Sequence, residues 1–245
     1  MSEGNSEAVY QGPIVTKVVD ASSLHCARSL EPKQDVEMPV HSWRYRYVKR
    51  LIDFSGALIL TVLLAIPGLL IAAAIMLTSP GSVFYRERRV GRGGAFFRIW
   101  KFRSMRKDAS QHRWVTQSTR DGRRVEWRMR KDLQDPRVTP VGKFLRRWSL
   151  DEIPQLLNVL SGEMSLIGPR PIVESETAYY GDRLAIYLAA NPGLSGLWQI
   201  SGRSNVGYEQ RAEMDAQYVQ SWSLGIDLRI FLLTVPAVMA RMGAI

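Results

Sequence analysis

Residues Phe54 to Thr78 read FSGALILTVLLAIPGLLIAAAIMLT, and how this run meets a lipid bilayer decides the fold. As a straight helix it would reach roughly 37 Å at 1.5 Å per residue, enough for a bilayer core of about 30 Å. A single spanning helix is therefore one reading. Two features favour another. Pro67, followed by Gly68, removes a backbone hydrogen bond in mid-run and kinks a helix there. Cations also flank both ends: Arg44, Arg46, Lys49 and Arg50 before, Arg86, Arg88, Arg89 and Arg92 after. The side rich in Lys and Arg stays cytoplasmic, a demand that a straight span cannot meet at both ends. A helix–break–helix that enters one leaflet and returns meets it. Spanning helices tolerate proline, so composition leaves both forms open with the re-entrant one favoured. Either form puts the chain in a membrane.

The run sits in a chain of 245 residues, enough for one moderate domain with appendages. Its formal net charge of +10 and pI near 10.0 call for an anionic partner: nucleic acid, anionic lipid or a phosphorylated substrate. One cysteine, Cys26, excludes an internal disulfide framework and a structural zinc site. His25, His41 and His112 match no metal spacing. Residues 1–42 lack the charged start, apolar core and cleavage site of a signal peptide, and read as a disordered extension. The domain reading is thus a tail (1–42), a membrane-inserted helix hairpin (43–80) and a cytoplasmic, membrane-associated domain (81–245).

Downstream, SVFYRE and AFFRIWKF alternate aromatic and charged residues around Gly91-Arg92-Gly93-Gly94, which predicts a β-hairpin. These glycines are no phosphate-binding loop, since no Gly-Lys-Ser/Thr follows. Residues 107–134 are polar and very basic, the pattern of a solvated face near anionic lipid. Helical patterning returns from Thr139 to Leu160 and contains Trp148-Ser149-Leu150-Asp151-Glu152-Ile153-Pro154. Two adjacent carboxylates beside Lys143, Arg146 and Arg147 suit phosphoryl chemistry, one attacking phosphorus and its neighbour holding a divalent metal. Ser149 and Glu152 also fit a capping box, which needs no chemistry at all. The two readings are compatible, because a helix N-terminus favours an anion and helps hold phosphate. GEMSLIGPRP (Gly162–Pro171) and NPGLSGLWQISGR (Asn191–Arg203) read as ordered loops. Trp222 to Met242 is interrupted by Asp227, Arg229 and Pro236, which suits interfacial amphipathic helices better than a span. The fold expected is mixed α/β and mainly helical.

KRLIDF, PGSVFYRERRVG, FRIWKFRSM, DPRVTPVGKFLRRWSLDEIPQLLNVLSGEMSLIGPRP, PGLSGLWQISGR and WSLGIDLRIFLLTVPAV occur in that order between Tyr47 and Arg241. Together they resemble the bacterial sugar transferases, the monotopic polyprenyl-phosphate phosphoglycosyl transferases, and most nearly their short exopolysaccharide members. The resemblance implies transfer of a sugar 1-phosphate from a UDP-sugar to undecaprenyl phosphate, with UMP released, at the cytoplasmic face of the bacterial inner membrane. It makes Asp151 the nucleophile that carries a covalent phosphosugar and Glu152 the Mg²⁺ ligand. Lys101, Arg103, Arg146 and Arg170 would clamp phosphate oxygens, with Trp198, Gln199 and Arg203 at the nucleotide end. Asp215 receives no role beyond support. The implied partners are the UDP-sugar, undecaprenyl phosphate and membrane lipids, with no nucleic acid; the interfacial helices hint at a homodimer.

Two positions depart from the family pattern. Ile66 stands before Pro67 where the family commonly has Ser, and Leu77 and Thr78 replace a charged residue at the exit of the membrane segment. Neither touches the acid pair. The rival readings are a membrane-anchored basic adaptor and a catalytically inactive scaffold for polysaccharide assembly; retention of both Asp151 and Glu152 counts against the second.

Overall fold

The computed structural model describes residues 38–106, 137–201 and 207–239. The remainder of the N-terminal extension, the basic stretch read at 107–134 and Arg203 lie outside these residues. Among the described residues helices outweigh strands, as the patterning predicted, around two small two-stranded sheets.

A wide helical turn over Arg44–Lys49 runs into α1 (Arg50–Leu63), which is followed by α2 (Ala65–Thr78). No single helix among the described residues is long and apolar enough to cross a membrane. Arg44–Leu63 and Ala65–Thr78 reach that length and composition only as a pair, bent by 59°. The break was expected at Pro67-Gly68, yet it falls at Leu64 (φ −94°, ψ 5°). Proline geometry explains the offset. Pro67 is the third residue of α2, where an N–H has no intrahelical partner to lose. Its ring instead crowds the carbonyl of Leu63, four residues back, so the chain gives way ahead of the proline. The pair leaves Val62, Leu63, Ile66, Leu69, Leu70 and Leu77 more than 65% exposed.

The predicted hairpin is present. β1 (Phe84–Val90) pairs antiparallel with β2 (Phe96–Phe102), from Phe84 opposite Phe102 to Val90 opposite Phe96. Period-2 alternation sends Phe97 and Ile99 inward and leaves Arg86 and Arg88 on the other face, stacked on Trp100 and Phe96 at 3.4 and 3.6 Å; Phe102, at the end of that second face, is buried with Ile75 and Leu145.

The helix expected from Thr139 to Leu160 is broken. Pro140–Arg147 forms α3, capped by the Thr139 hydroxyl, which accepts from the Gly142 N–H at 2.9 Å. A tighter 3₁₀ segment then spans Leu150–Gln155, and α4 is only Leu156–Ser161. Gly142 permits the close start of α3: a Cβ there would stand 2.0 Å from the Ser104 carbonyl oxygen. Beyond α4, β3 (Ser165–Ile167) runs parallel to β4 (Gly193–Ser195), with α5 (Leu184–Leu188) between them. α6 (Leu197–Ile200), α7 (Tyr208–Ser221) and α8 (Leu224–Met239) complete the order. α8 keeps Leu228, Leu232 and Val235 exposed while Ile230 and Ala237 are buried.

Met38 and Val40, assigned to the disordered extension, are instead buried against Tyr45, Tyr218 and Trp222, so the packed part begins before residue 42. Lys49 and Asp53 of KRLIDF meet Asp227 of WSLGIDL in a buried ionic cluster. The Lys49 ammonium lies 2.7 Å from Asp227 and 3.6 Å from Asp53. Ser165 and the Leu166 N–H donate to Asp53 at 2.7 and 3.1 Å; the Tyr218 hydroxyl and Trp222 indole donate to Asp227 at 2.7 and 3.0 Å. Every charge in the cluster thus has a partner, which a buried ion requires. The cluster ties the first helix of the apolar pair to β3 and α8.

Candidate active site

Asp151 and Glu152 open the 3₁₀ segment, but not as a capping box. Ser149 sits in the left-handed region at φ 56°, ψ 20°, and its side chain makes no cap hydrogen bond. The Glu152 N–H bonds the Ser149 carbonyl at 3.2 Å instead. The acid pair is presented by a sharp turn between α3 and the 3₁₀ segment rather than by a side-chain cap. Asp151 is 4% exposed, and its Oδ1 finds no hydrogen-bond partner among the described residues. An unpaired buried carboxylate oxygen costs free energy unless something arrives to meet it.

Glu152 faces β2, where the Lys101 ammonium donates to its Oε1 at 3.0 Å. Together they line a narrow cleft whose walls also include Arg89, Gln155, Arg170 and Gln199. Of the residues expected from sequence, the fold thus gathers Lys101, Glu152, Arg170 and Gln199, with Asp151 adjacent to Glu152 in the chain.

The other cations are engaged elsewhere. Arg103 donates to the carbonyls of Ser79 at 2.6 Å and Pro80 at 2.7 Å, fastening the end of α2 to β2. Arg146 donates through Nε to the Ser104 hydroxyl at 2.9 Å. Trp198 is buried, with the Arg170 guanidinium 5.4 Å and the Arg211 guanidinium 4.7 Å from its ring centre. It supports arginines and offers little free surface to a base.

Sequence reading missed Arg89 and Gln155 in the cleft, and Asn158 behind it. Asn158 is fully buried: its Oδ1 accepts the Trp100 N–H at 2.9 Å, and its amide donates to the Arg98 carbonyl at 2.9 Å and to Glu163 at 2.7 Å. One side chain thereby serves the free edge of β2 as a neighbouring strand would. It fixes the strand that carries Lys101. Its place seven residues after Asp151 was the available signal.

For a divalent ion, no group of three or more His, Cys, Asp or Glu side chains forms a ready ligand set among the described residues. Mg²⁺ sites commonly use one or two carboxylates plus substrate phosphates rather than an all-protein cage. Glu152 and the unpaired Asp151 oxygen are the donors available.

A cleft lined by an acid and several cations suits a phosphorylated, anionic substrate. The chain belongs to the bacterial sugar transferase family, whose model matches residues 44–241. It is 46% identical over 197 residues to the exopolysaccharide production protein ExoY of Rhizobium meliloti (strain 1021), covering 80% of this chain and 87% of that one. It is 44% identical over 207 residues to the UDP-glucose:undecaprenyl-phosphate glucose-1-phosphate transferase of Caulobacter vibrioides, covering 80% of this chain and 71% of the relative. The undecaprenyl-phosphate galactose phosphotransferase of Salmonella typhimurium is 41% identical over 200 residues, 81% of this chain but 42% of the longer relative.

Proposed function

We propose that the protein transfers a sugar 1-phosphate from a UDP-sugar to undecaprenyl phosphate, starting assembly of an exopolysaccharide or another lipid-linked glycan. The observation that carries this reading is the acid pair itself. Asp151 keeps a buried oxygen without a partner among the described residues, next to a glutamate already held by the cleft lysine. The Asp151 carboxylate attacks the sugar-bearing phosphorus, the bond from that phosphorus to the bridging oxygen breaks, and UMP leaves with the electron pair. The enzyme is left with an aspartyl acyl phosphate, a mixed anhydride of Asp151 and the sugar phosphate. A phosphate oxygen of the polyprenyl phosphate then attacks the same phosphorus and the Asp151 carboxylate is regenerated. Arg170 and Lys101 hold equatorial phosphate oxygens as charge builds on them. Mg²⁺ at Glu152 supplies charge neutralisation for the diphosphate when bound.

The lipid acceptor requires a membrane site. The exposed apolar pair α1–α2 enters the cytoplasmic leaflet of the bacterial inner membrane and returns, with α8 at the interface and the catalytic domain on the cytoplasmic face. Support comes from the bend at Leu64 and from exposed cations at both ends, Arg44 and Arg46 before and Arg86, Arg88 and Arg92 after.

The test is UMP release from a panel of UDP-sugars with undecaprenyl phosphate and Mg²⁺, using the full chain in detergent. Asp151→Asn is expected to lose activity by about 10³-fold or more, and a phosphosugar adduct is expected on the wild type alone. Normal turnover by Asp151→Asn overturns the mechanism. For the membrane arm, Arg46→Cys and Arg92→Cys in a Cys26→Ser background are labelled from each side. Labelling from opposite sides rules out re-entry.

A further inference from the structure

Asp215 lies on α7, is fully buried, and takes no part in the transfer just described. The Tyr180 hydroxyl donates to its Oδ2 at 2.8 Å, while Oδ1 has no hydrogen-bond partner among the described residues. Burial pushes its carboxyl up to about 7; the Tyr180 bond, the Arg170 backbone N–H and the charges of Arg170 and Arg211 hold it from rising further. These two arginines are also the pair that rests on the Trp198 ring. A second link runs through the backbone. Tyr180 packs edge-on against Tyr187 at 5.0 Å, and the Tyr187 hydroxyl lies 3.1 Å from the Arg170 carbonyl and 3.0 Å from that of Val90. Asp215 is therefore joined to Arg170 both by charge and through Tyr180 and Tyr187, and Arg170 lines the cleft with Lys101 and Glu152.

We propose that Asp215 is a positioning residue for Arg170: the carboxylate, fixed by the Tyr180 hydroxyl, holds the guanidinium against Trp198 so that it meets the phosphate of the nucleotide sugar in one orientation. A buried carboxylate without a direct ion pair is expensive to keep. A merely structural site would be served as well by a neutral amide, which accepts the same tyrosine bond. The negative charge contributes only through the arginines it orients. The inference rests on reading the cleft as the phosphate site.

The test is a double-mutant cycle on the full chain in detergent, comparing wild type, Asp215→Asn, Arg170→Ala and the double variant. UMP release gives kcat and KM for the UDP-sugar, and thermal midpoints are measured alongside. Asp215→Asn is expected to lower kcat/KM by about 10- to 100-fold, mostly through KM, as a misplaced clamp does. In the Arg170→Ala background the same change is expected to cost less than about 2-fold, because the two act as one unit. The thermal midpoint of Asp215→Asn at pH 7.5 is expected to equal or exceed that of wild type. Losses that multiply, or an activity loss that follows a lowered midpoint, overturn the assignment. Should Asp215→Asn fail to fold, Tyr180→Phe replaces it in the cycle, with coupling to Arg170 expected and additivity refuting. A wild type that releases no UMP from any UDP-sugar overturns the phosphate reading and this inference with it; wild-type turnover with additive losses removes the Asp215 role alone.

Discussion

Ser149 offers a direct contest between a side-chain cap and a strained turn. Its backbone lies at φ 56°, the one positive-φ residue other than glycine among those described, and its hydroxyl makes no cap bond. A Cβ in the left-handed region costs roughly 1–2 kcal/mol, partly offset by the 0.5–1 kcal/mol or so of extra entropy that glycine loses on folding. Ser149→Gly is therefore expected to stabilise by about 0.5 kcal/mol. Ser149→Ala keeps the Cβ and loses nothing that the fold uses, so its change is expected to be near zero. Ser149→Val adds a branched Cβ to a left-handed residue and is expected to cost about 1–2 kcal/mol. A capping hydroxyl gives a different order: Ala loses about 1 kcal/mol and Gly a few tenths. At about 2–4 °C of midpoint per kcal/mol for a chain of this size, thermal unfolding in detergent followed by tryptophan fluorescence resolves the series. An alanine variant at least 1 kcal/mol less stable than wild type, with glycine no better than serine, would refute the strained-turn account.

Asn158→Leu preserves approximate volume but strands the Trp100 N–H and the Arg98 carbonyl on the edge of β2. At about 1–3 kcal/mol for each unsatisfied buried group, a loss near 3 kcal/mol is expected by denaturant titration; less than 1 kcal/mol would show that the amide does not hold the strand. Lys49→Met leaves Asp53 and Asp227 buried together without their shared cation. It is expected to cost about 3–5 kcal/mol, and unchanged stability would refute the clustered arrangement. Asp215 makes stability depend on pH. Its carboxyl is raised from 3.8 to about 7 in the folded protein, so between these values the folded state binds the extra proton. Its contribution is favourable below about pH 4, declines as pH rises and is gone above about 7. Asp215→Asn is expected to flatten unfolding free energy over that window, and an unaltered slope would count against the buried titration.

The β1–β2 hairpin was legible because alternation and a glycine turn are local signals, whereas the acid pair stood out only through the cations and motifs around it. What failed was local inference carried one step too far. Ser149-x-x-Glu152 matched the capping pattern only on the assumption of an α-helical start, and the chain adopts a left-handed residue and a 3₁₀ segment there instead. Pro67 announced a break without fixing its position, since a proline acts on the carbonyl four residues earlier. Partners distant in sequence were beyond local signals altogether. Lys49 meets Asp227 across 178 positions and Asn158 reaches Trp100 across 58. Nothing in either segment marks the other.

The excess of cations, which called for an anionic partner, divides by what each guanidinium touches. Arg50 donates to the carbonyls of Val159 and Leu160 at the end of α4 at 2.5 and 2.8 Å, and Arg103 to those of Ser79 and Pro80 at the end of α2. Such arginines act as fasteners for helix ends and loops, completing carbonyls that would otherwise lack a donor. A carbonyl, unlike a carboxylate, leaves the charge of its arginine uncancelled. Residues spent on architecture therefore still add to the positive field around the acid pair, and a field of this kind draws an anionic substrate inward before any direct contact forms. Lys101, already satisfied by Glu152, gains from that arrangement. On the proposed function, the surrounding fixed charge compensates an incoming diphosphate while the lysine exchanges its carboxylate for a phosphate oxygen, so the cleft need not choose between holding its own acid and receiving its substrate.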